Sequence, residues 1–159
     1  MNIKTFLALL DNAEFLLVLV VIYEIGSIFL SRYRKTKVLL QGILIGMIGI
    51  IIMSVPYEFS SGLVFDTRSI LIGSTAIIFS TTTLMISTLM MFVYRIYMGG
   101  IGTIPGLLVI TLTALIGFLW KKFIYQKVQK YKWLSIYSYG VLIHIVMLIC
   151  MFAYPMSLR

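Results

Sequence analysis

Two arginines in this chain stand where charge is costly. Arg68 follows Asp66 and Thr67 at the head of one apolar run, and Arg95 follows Tyr94 at the foot of the next, ahead of Gly99-Gly100-Ile101-Gly102. A charge at the centre of a bilayer costs about 2.5–3.5 kcal/mol or more unless it is paired, hydrated or held at a helix end. A guanidinium presents planar, forked N–H donors that match a carboxylate or phosphate. If the intervening segment folds back on itself, Glu58, Asp66, Arg68 and Arg95 converge beneath the Gly99, Gly100 and Gly102 turn. Two readings then stand side by side. In one, Asp66 caps a helix while the arginines pair with acidic neighbours or reach to lipid headgroups. In the other, the arginines hold a small anionic ligand or a cell-envelope component.

Two further polar residues fall inside apolar runs. Glu24 lies about two turns from the inner end of the first run, where a carboxyl must be neutral, hydrogen-bonded or paired, so it is either a sensor or an interhelical hydrogen-bond partner. His144 lies near the middle of the last run and has no second ligand beside it, which fits a satisfied bundle residue better than a metal site or pH switch. No nucleophile–base pair, phosphate loop or HExxH spacing occurs, so neither catalysis nor a cofactor or metal is expected.

The elements that must position these residues are membrane helices. Of 159 residues 61% are hydrophobic and 11% charged, and the mean hydropathy is +1.08, against about 45–50% apolar and about 25% charged in soluble domains. The net charge of +8 is concentrated in two short segments, 31–37 and 121–132, between apolar runs. That pattern marks cytoplasmic loops rather than a nucleic-acid surface. The single cysteine, Cys150, has no partner for a disulfide. Acidic residues in the first run argue against a cleaved signal peptide. No linker divides the chain, so residues 1–159 are read as one transmembrane domain.

Five apolar runs emerge, at 13–30, 38–55, 69–97, 106–120 and 133–154, against the roughly 20 residues a helical span needs. A single helix at 69–97 would put the two basic loops on opposite sides of the membrane. A break at Ser80-Thr81-Thr82-Thr83 puts both inside, so the positive-inside rule favours a hairpin of two helices of about 14 residues each. The expectation is an all-α integral membrane protein of about six transmembrane or half-membrane helices in a bacterial plasma membrane, the third and fourth forming a short hairpin. The N-terminus, segments 56–68 and 99–105, and Arg159 are then external. Gly42, Gly46 and Gly49 mark a packing seam or a homodimer face on the second span.

The segments Pro56-Tyr57 through Gly62, Asp66-Thr67-Arg68-Ser69 and Tyr94-Arg95-Ile96-Tyr97-Met98-Gly99-Gly100-Ile101-Gly102, with Gly106 and Gly117 following, resemble the LytS-type transmembrane receptor region. The chain departs from that pattern at the break, where Ser80-Thr81-Thr82-Thr83 stands in place of a Gly-Gly or Gly-Pro pair. The resemblance covers most of the chain. It implies a sensory module, found at the N-terminus of histidine kinases of two-component systems linked to cell-wall control and of GGDEF diguanylate cyclases, passing a conformational change to a cytoplasmic output domain. The chain is accordingly expected to be a signal-input region without enzymatic activity, lacking a final span and the output domain. The alternatives are a substrate-binding subunit of a vitamin-type energy-coupling factor transporter, supported if a vitamin copurifies, and a purely structural partner.

Overall fold

The computed structural model describes residues 14, 17–26, 28, 33–54, 58–60, 63–64, 68–100, 102–125 and 132–156. Among these are six α-helices: α1 (Leu17–Gly26), α2 (Arg34–Ser54), α3 (Arg68–Ile78), α4 (Thr81–Met98), α5 (Thr103–Trp120) and α6 (Lys132–Met156), with a π-helical turn at Lys121–Tyr125. The segments Lys35–Ser54, Thr103–Ile124 and Trp133–Cys150 are long and apolar enough to cross a membrane. The protein is an all-α, multi-pass membrane protein. One addition lies in the connection after α2, where β1 (Glu58–Ser60) pairs antiparallel with β2 (Leu63–Val64).

The third run is a helical hairpin, but its halves are unequal. Helix α3 has 11 residues and α4 has 18, because the break falls at Phe79 and Ser80, the start of the polar run, not its middle. Ser80 is extended (φ −69°, ψ 156°), and its hydroxyl accepts the Thr83 N–H at 3.2 Å. That cap satisfies one of the orphan donors of α4 and leaves Thr81 to Thr83 free to join the helix. At the other side of the break, Lys121 Nζ donates to the Phe79 carbonyl, supplying a cation at the C-terminal end of α3. Helix α5 begins at Thr103 although Pro105 follows, since a first-turn proline lacks an N–H that would be unpaired anyway.

Helices α2 and α4 run parallel: Thr83 Oγ1 donates to the Val38 carbonyl at 3.3 Å, and the Ser54 and Tyr94 hydroxyls meet at 2.7 Å. The glycine seam of α2 is filled by α4. A Cβ at Gly42 would lie 2.8 Å from Ile86, one at Gly46 2.6 Å from the Met90 sulfur, and one at Gly49 would collide with the Met91 sulfur. Helix α3 packs antiparallel to α6 through Ser69 and Met147 and through Tyr139, whose hydroxyl donates to the Gly73 carbonyl at 3.1 Å. Ala76 of α3 meets Gly117 of α5. These pairings place Lys35, Lys37, Lys121 and Lys122 at one end of the bundle, and Ser54, Arg68, Arg95 and the glycine turn at the other.

Some buried hydroxyls do not break this packing because they bond their own helix. Thr75 Oγ1 donates to the Leu71 carbonyl at 2.7 Å and Ser87 Oγ to the Leu84 carbonyl at 3.1 Å, the i−4 and i−3 pattern that lets Ser and Thr sit in apolar interiors. Around them Ile45, Leu71, Ile72, Met91 and Ile110 are almost fully excluded from the surface.

Two outcomes test this arrangement. In a Cys150→Ser background, single cysteines at Lys35 and Lys122 should label with an impermeant maleimide from the same side, and one at Gly100 from the other. Gly46→Ala should lower thermal stability in detergent by about 1–3 kcal/mol through overpacking against Met90. Gly140→Ala, where a Cβ meets nothing within 4 Å, should be neutral or stabilising by about 0.5–1 kcal/mol.

Candidate functional site

The end of the bundle opposite the lysines concentrates positive charge. Arg68 is the first residue of α3, and Arg95 lies in the last turn of α4. The α3 and α5 N-termini, which carry partial positive charge, point to this end, and neither has an acidic residue in its first turn. Arg68 is 7% exposed; its Nη1 donates to the Met53 sulfur at 3.1 Å, and the Arg95 charge is near enough to oppose its own. Burial is the larger influence on the Arg68 guanidinium and the Arg95 charge the smaller.

The adjacent residues Tyr94 and Arg95 divide two tasks, because neighbours on a helix point about 100° apart. Tyr94 binds the end of α2 through Ser54. Arg95 instead crosses to α5 and lies over its first turn: a Cβ on Gly102 would be 2.8 Å from Nη2, and one on Gly106 2.6 Å from Nε. The spacing of four between these glycines therefore makes a trough for the guanidinium. Its Nε is buried and accepted by no group among the described residues, and the Thr103 hydroxyl beside the trough is likewise buried without a partner.

The turn that brings α5 back beneath Arg95 needs glycine. Gly99 closes α4 at φ 64°, ψ −156°, a region that only glycine occupies readily, and Gly100 follows at φ 88°. The Gly99 N–H bonds the Arg95 carbonyl at 3.4 Å and the Thr103 N–H the Gly100 carbonyl at 3.1 Å. Together Gly99, Gly100, Gly102 and Gly106 fix how Arg95 meets α5.

The remaining sequence candidates fall as follows. Glu58 is in strand β1, paired in register with Val64. Asp66 lies outside the described residues. Glu24 is on the exposed side of α1, while its neighbour Tyr23 packs edge-on against Phe79 at 5.7 Å, so Glu24 is closer to the lysine end than to the arginines. His144 is half-buried; its Nδ1 donates to the Gly140 carbonyl at 2.8 Å, and it lines a cavity of about 290 Å³ between α3 and α6 with Ser74 and Tyr139. The structure brings Arg68 and Arg95 to one end with the glycine turn and leaves Glu24 and His144 apart from them. Two contributors were not singled out from the sequence: Gly106 as part of the trough, for which the Gly102-x-x-x-Gly106 spacing is the signal, and Met53, for which there is none.

A family model described as "5TMR of 5TMR-LYT" matches residues 22–159, most of the chain, including α2 through α6 and both arginines. No curated protein and no solved structure matches.

The trough makes a coupled prediction. Gly106→Ala should destabilise the protein by about 1–3 kcal/mol because Arg95 must leave its position, and Arg95→Ala in the same chain should recover part of that loss, a coupling that a double-mutant cycle in thermal unfolding measures. Gly99→Ala should cost about 1–3 kcal/mol through backbone strain alone, with no recovery from Arg95→Ala.

Proposed function

The chain belongs to the 5TMR of 5TMR-LYT family, the LytS-type multi-transmembrane receptor region, and from that premise we propose that it is the signal-input domain of a sensor histidine kinase or diguanylate cyclase. In this reading it transmits an external or membrane stimulus to a cytoplasmic output. The domain is a sensory and not a catalytic one. The bundle end bearing Lys35, Lys37, Lys121 and Lys122 faces the cytoplasm of a bacterial cell, following the positive-inside rule, and the arginine end faces out. Control of cell-wall organisation is the fitting physiological setting, and a homodimer the fitting assembly for a receptor that drives such an output.

One observation carries the site assignment: Arg68 and Arg95 stand at the same end of the bundle, which also holds two helix N-termini, and the Arg95 Nε is buried without an acceptor among the described residues. Of the five acidic residues in the chain, Glu58 and Asp66 belong to the connection that leads into Arg68. We assign to Asp66, with Glu58, the role of partial counter-charge, and to Arg68 and Arg95 that of binding an anionic ligand or cell-envelope component. Occupancy would neutralise the repulsion between the arginines and shift Arg95 on its glycine trough, moving α5 relative to α4.

The test fuses the chain, through a span that returns to the cytoplasm, to a reporter output. Arg95→Ala should abolish regulated output. Arg95→Lys keeps the charge but loses the planar fork, so output regulated through a bidentately held anion should be lost while thermal stability stays near the parent. Breaking a desolvated charge pair costs about 3–5 kcal/mol, against about 0–1 kcal/mol for an exposed one. Normal stability and output in both Arg95→Ala and Asp66→Ala would remove the site assignment.

A further inference from the structure

At the lysine end a second feature lies outside the arginine cluster. Between α4 and α5 lies an open groove of about 570 Å³, lined from Thr81 and Phe118 near the lysines to Phe92 and Thr111. Its walls are mostly apolar side chains, Met85 and Leu115 among them, interrupted by Thr88 and Thr111. From Thr81 to Phe92 the axial rise is roughly 16 Å at about 1.5 Å per residue, close to one leaflet of a hydrocarbon core of about 30 Å. The groove therefore has the length of an acyl chain's domain, and it opens at the level where a headgroup would lie.

The mouth of the groove is electropositive by two means. Lys122 stands four residues after Phe118, one turn along the same face, and its Nζ is 6.0 Å from the centroid of the Phe118 ring and 5.4 Å from that of Phe123. Lys122 is exposed, whereas its neighbour Lys121 is committed to the Phe79 carbonyl. The N-terminus of α4 opens at the same point, with no acidic residue in its first turn. Ser80 takes the Thr83 N–H, which leaves the Thr81 and Thr82 N–H groups as orphan donors facing this end. A cation, a positive helix end and an apolar slot of one-leaflet depth together describe an amphiphile with an anionic head.

We propose that an anionic phospholipid of the leaflet beside the lysine end binds here, one acyl chain in the α4–α5 groove and its phosphate between Lys122 and the first turn of α4. The site is independent of the arginine cluster at the opposite end. Its occupant would bridge the two helices that Arg95 also joins.

Native mass spectrometry of the full chain, delipidated in detergent and titrated with phosphatidylglycerol or phosphatidylcholine, tests the proposal. Phosphatidylglycerol should bind more tightly, and Lys122→Gln should reduce that preference about 5-fold, the effect of one basic residue at a membrane surface, without changing phosphatidylcholine binding. Leu115→Trp should weaken both lipids by filling the groove. Leu115 is 54% exposed, so the variant should fold, and Met85→Trp on the facing wall gives an independent filling variant. Lys35→Gln, an exposed lysine at the same end, should leave the preference unchanged. Equal binding of the two lipids by the parent chain overturns the proposal. So does an equal loss from Lys35→Gln and Lys122→Gln, which would mean diffuse attraction of surrounding lipid. Indifference to both filling variants, or competition by glycerol phosphate alone as strong as by the lipid, would also overturn it, the last by showing a soluble-anion site.

Discussion

Within a bilayer, burying apolar side chains does not draw helices together, because lipid tails are as apolar as the helix surfaces they would leave. Close approach of backbones must do that work, and this bundle obtains it from glycines at contact points. Gly42, Gly46 and Gly49 admit Ile86, Met90 and Met91 of α4; Gly73 admits Ile143; Gly117 admits Ala76 and Tyr139. At each of these positions an added Cβ would overlap the partner. Gly102 and Gly106 follow the same rule with a charged partner, Arg95, so the candidate site is made by the device that makes the fold.

The second requirement of a bilayer is that a helix end be capped or left where water or a headgroup reaches it, and the hairpin break shows how it is met. Phe79 and Ser80 interrupt the helix at the lysine end of the bundle. The Ser80 hydroxyl serves the α4 N-terminus and Lys121 serves the α3 C-terminus. Lys121 extends from the far end of α5, so the break is closed by a different helix from the two it separates. A basic residue that reads as a marker of sidedness is thus also a cap.

The hairpin was legible in the sequence because two kinds of information agreed: the charge asymmetry required the chain to turn back, and the run Ser80-Thr81-Thr82-Thr83 offered a place. The position of the break was less so, since any of four hydroxyl residues can cap, and the contacts that accompany Ser80, from Thr83 to Val38 and from Lys121 to Phe79, are long-range. Glycine spacing revealed the seam on α2 but not its occupant, because a small residue records that something approaches closely and not what. Helix α5 begins before Pro105, where a proline rule applied from the outside would end it. The β1–β2 pair is too short for an alternating pattern to register. Of the site, the motif around Arg95 was legible as charge beside glycine; that the side chain crosses to α5, while Tyr94 turns to α2, depends on rotamers that no spacing records.

That division at Tyr94 and Arg95 decides which helix can respond to a change at the arginine end. Helix α4 is bound to α2 along its length by three glycine contacts and by hydroxyl bonds at both ends, so the pair moves as a unit if it moves at all. Helix α5 meets the end of α4 through a glycine turn and a guanidinium lying in a trough, while its Gly117 holds it against Ala76 of α3 and Tyr139 of α6. At its far end α5 passes without interruption into the π-helical turn and reaches the α3–α4 break through Lys121. Among the described residues α5 touches both Arg95 and the basic end, and packed elements shift between discrete arrangements more readily than they deform. On the proposed reading, a signal received at Arg95 therefore crosses the membrane along α5, and α2 with α4 supplies the fixed frame against which that motion is measured.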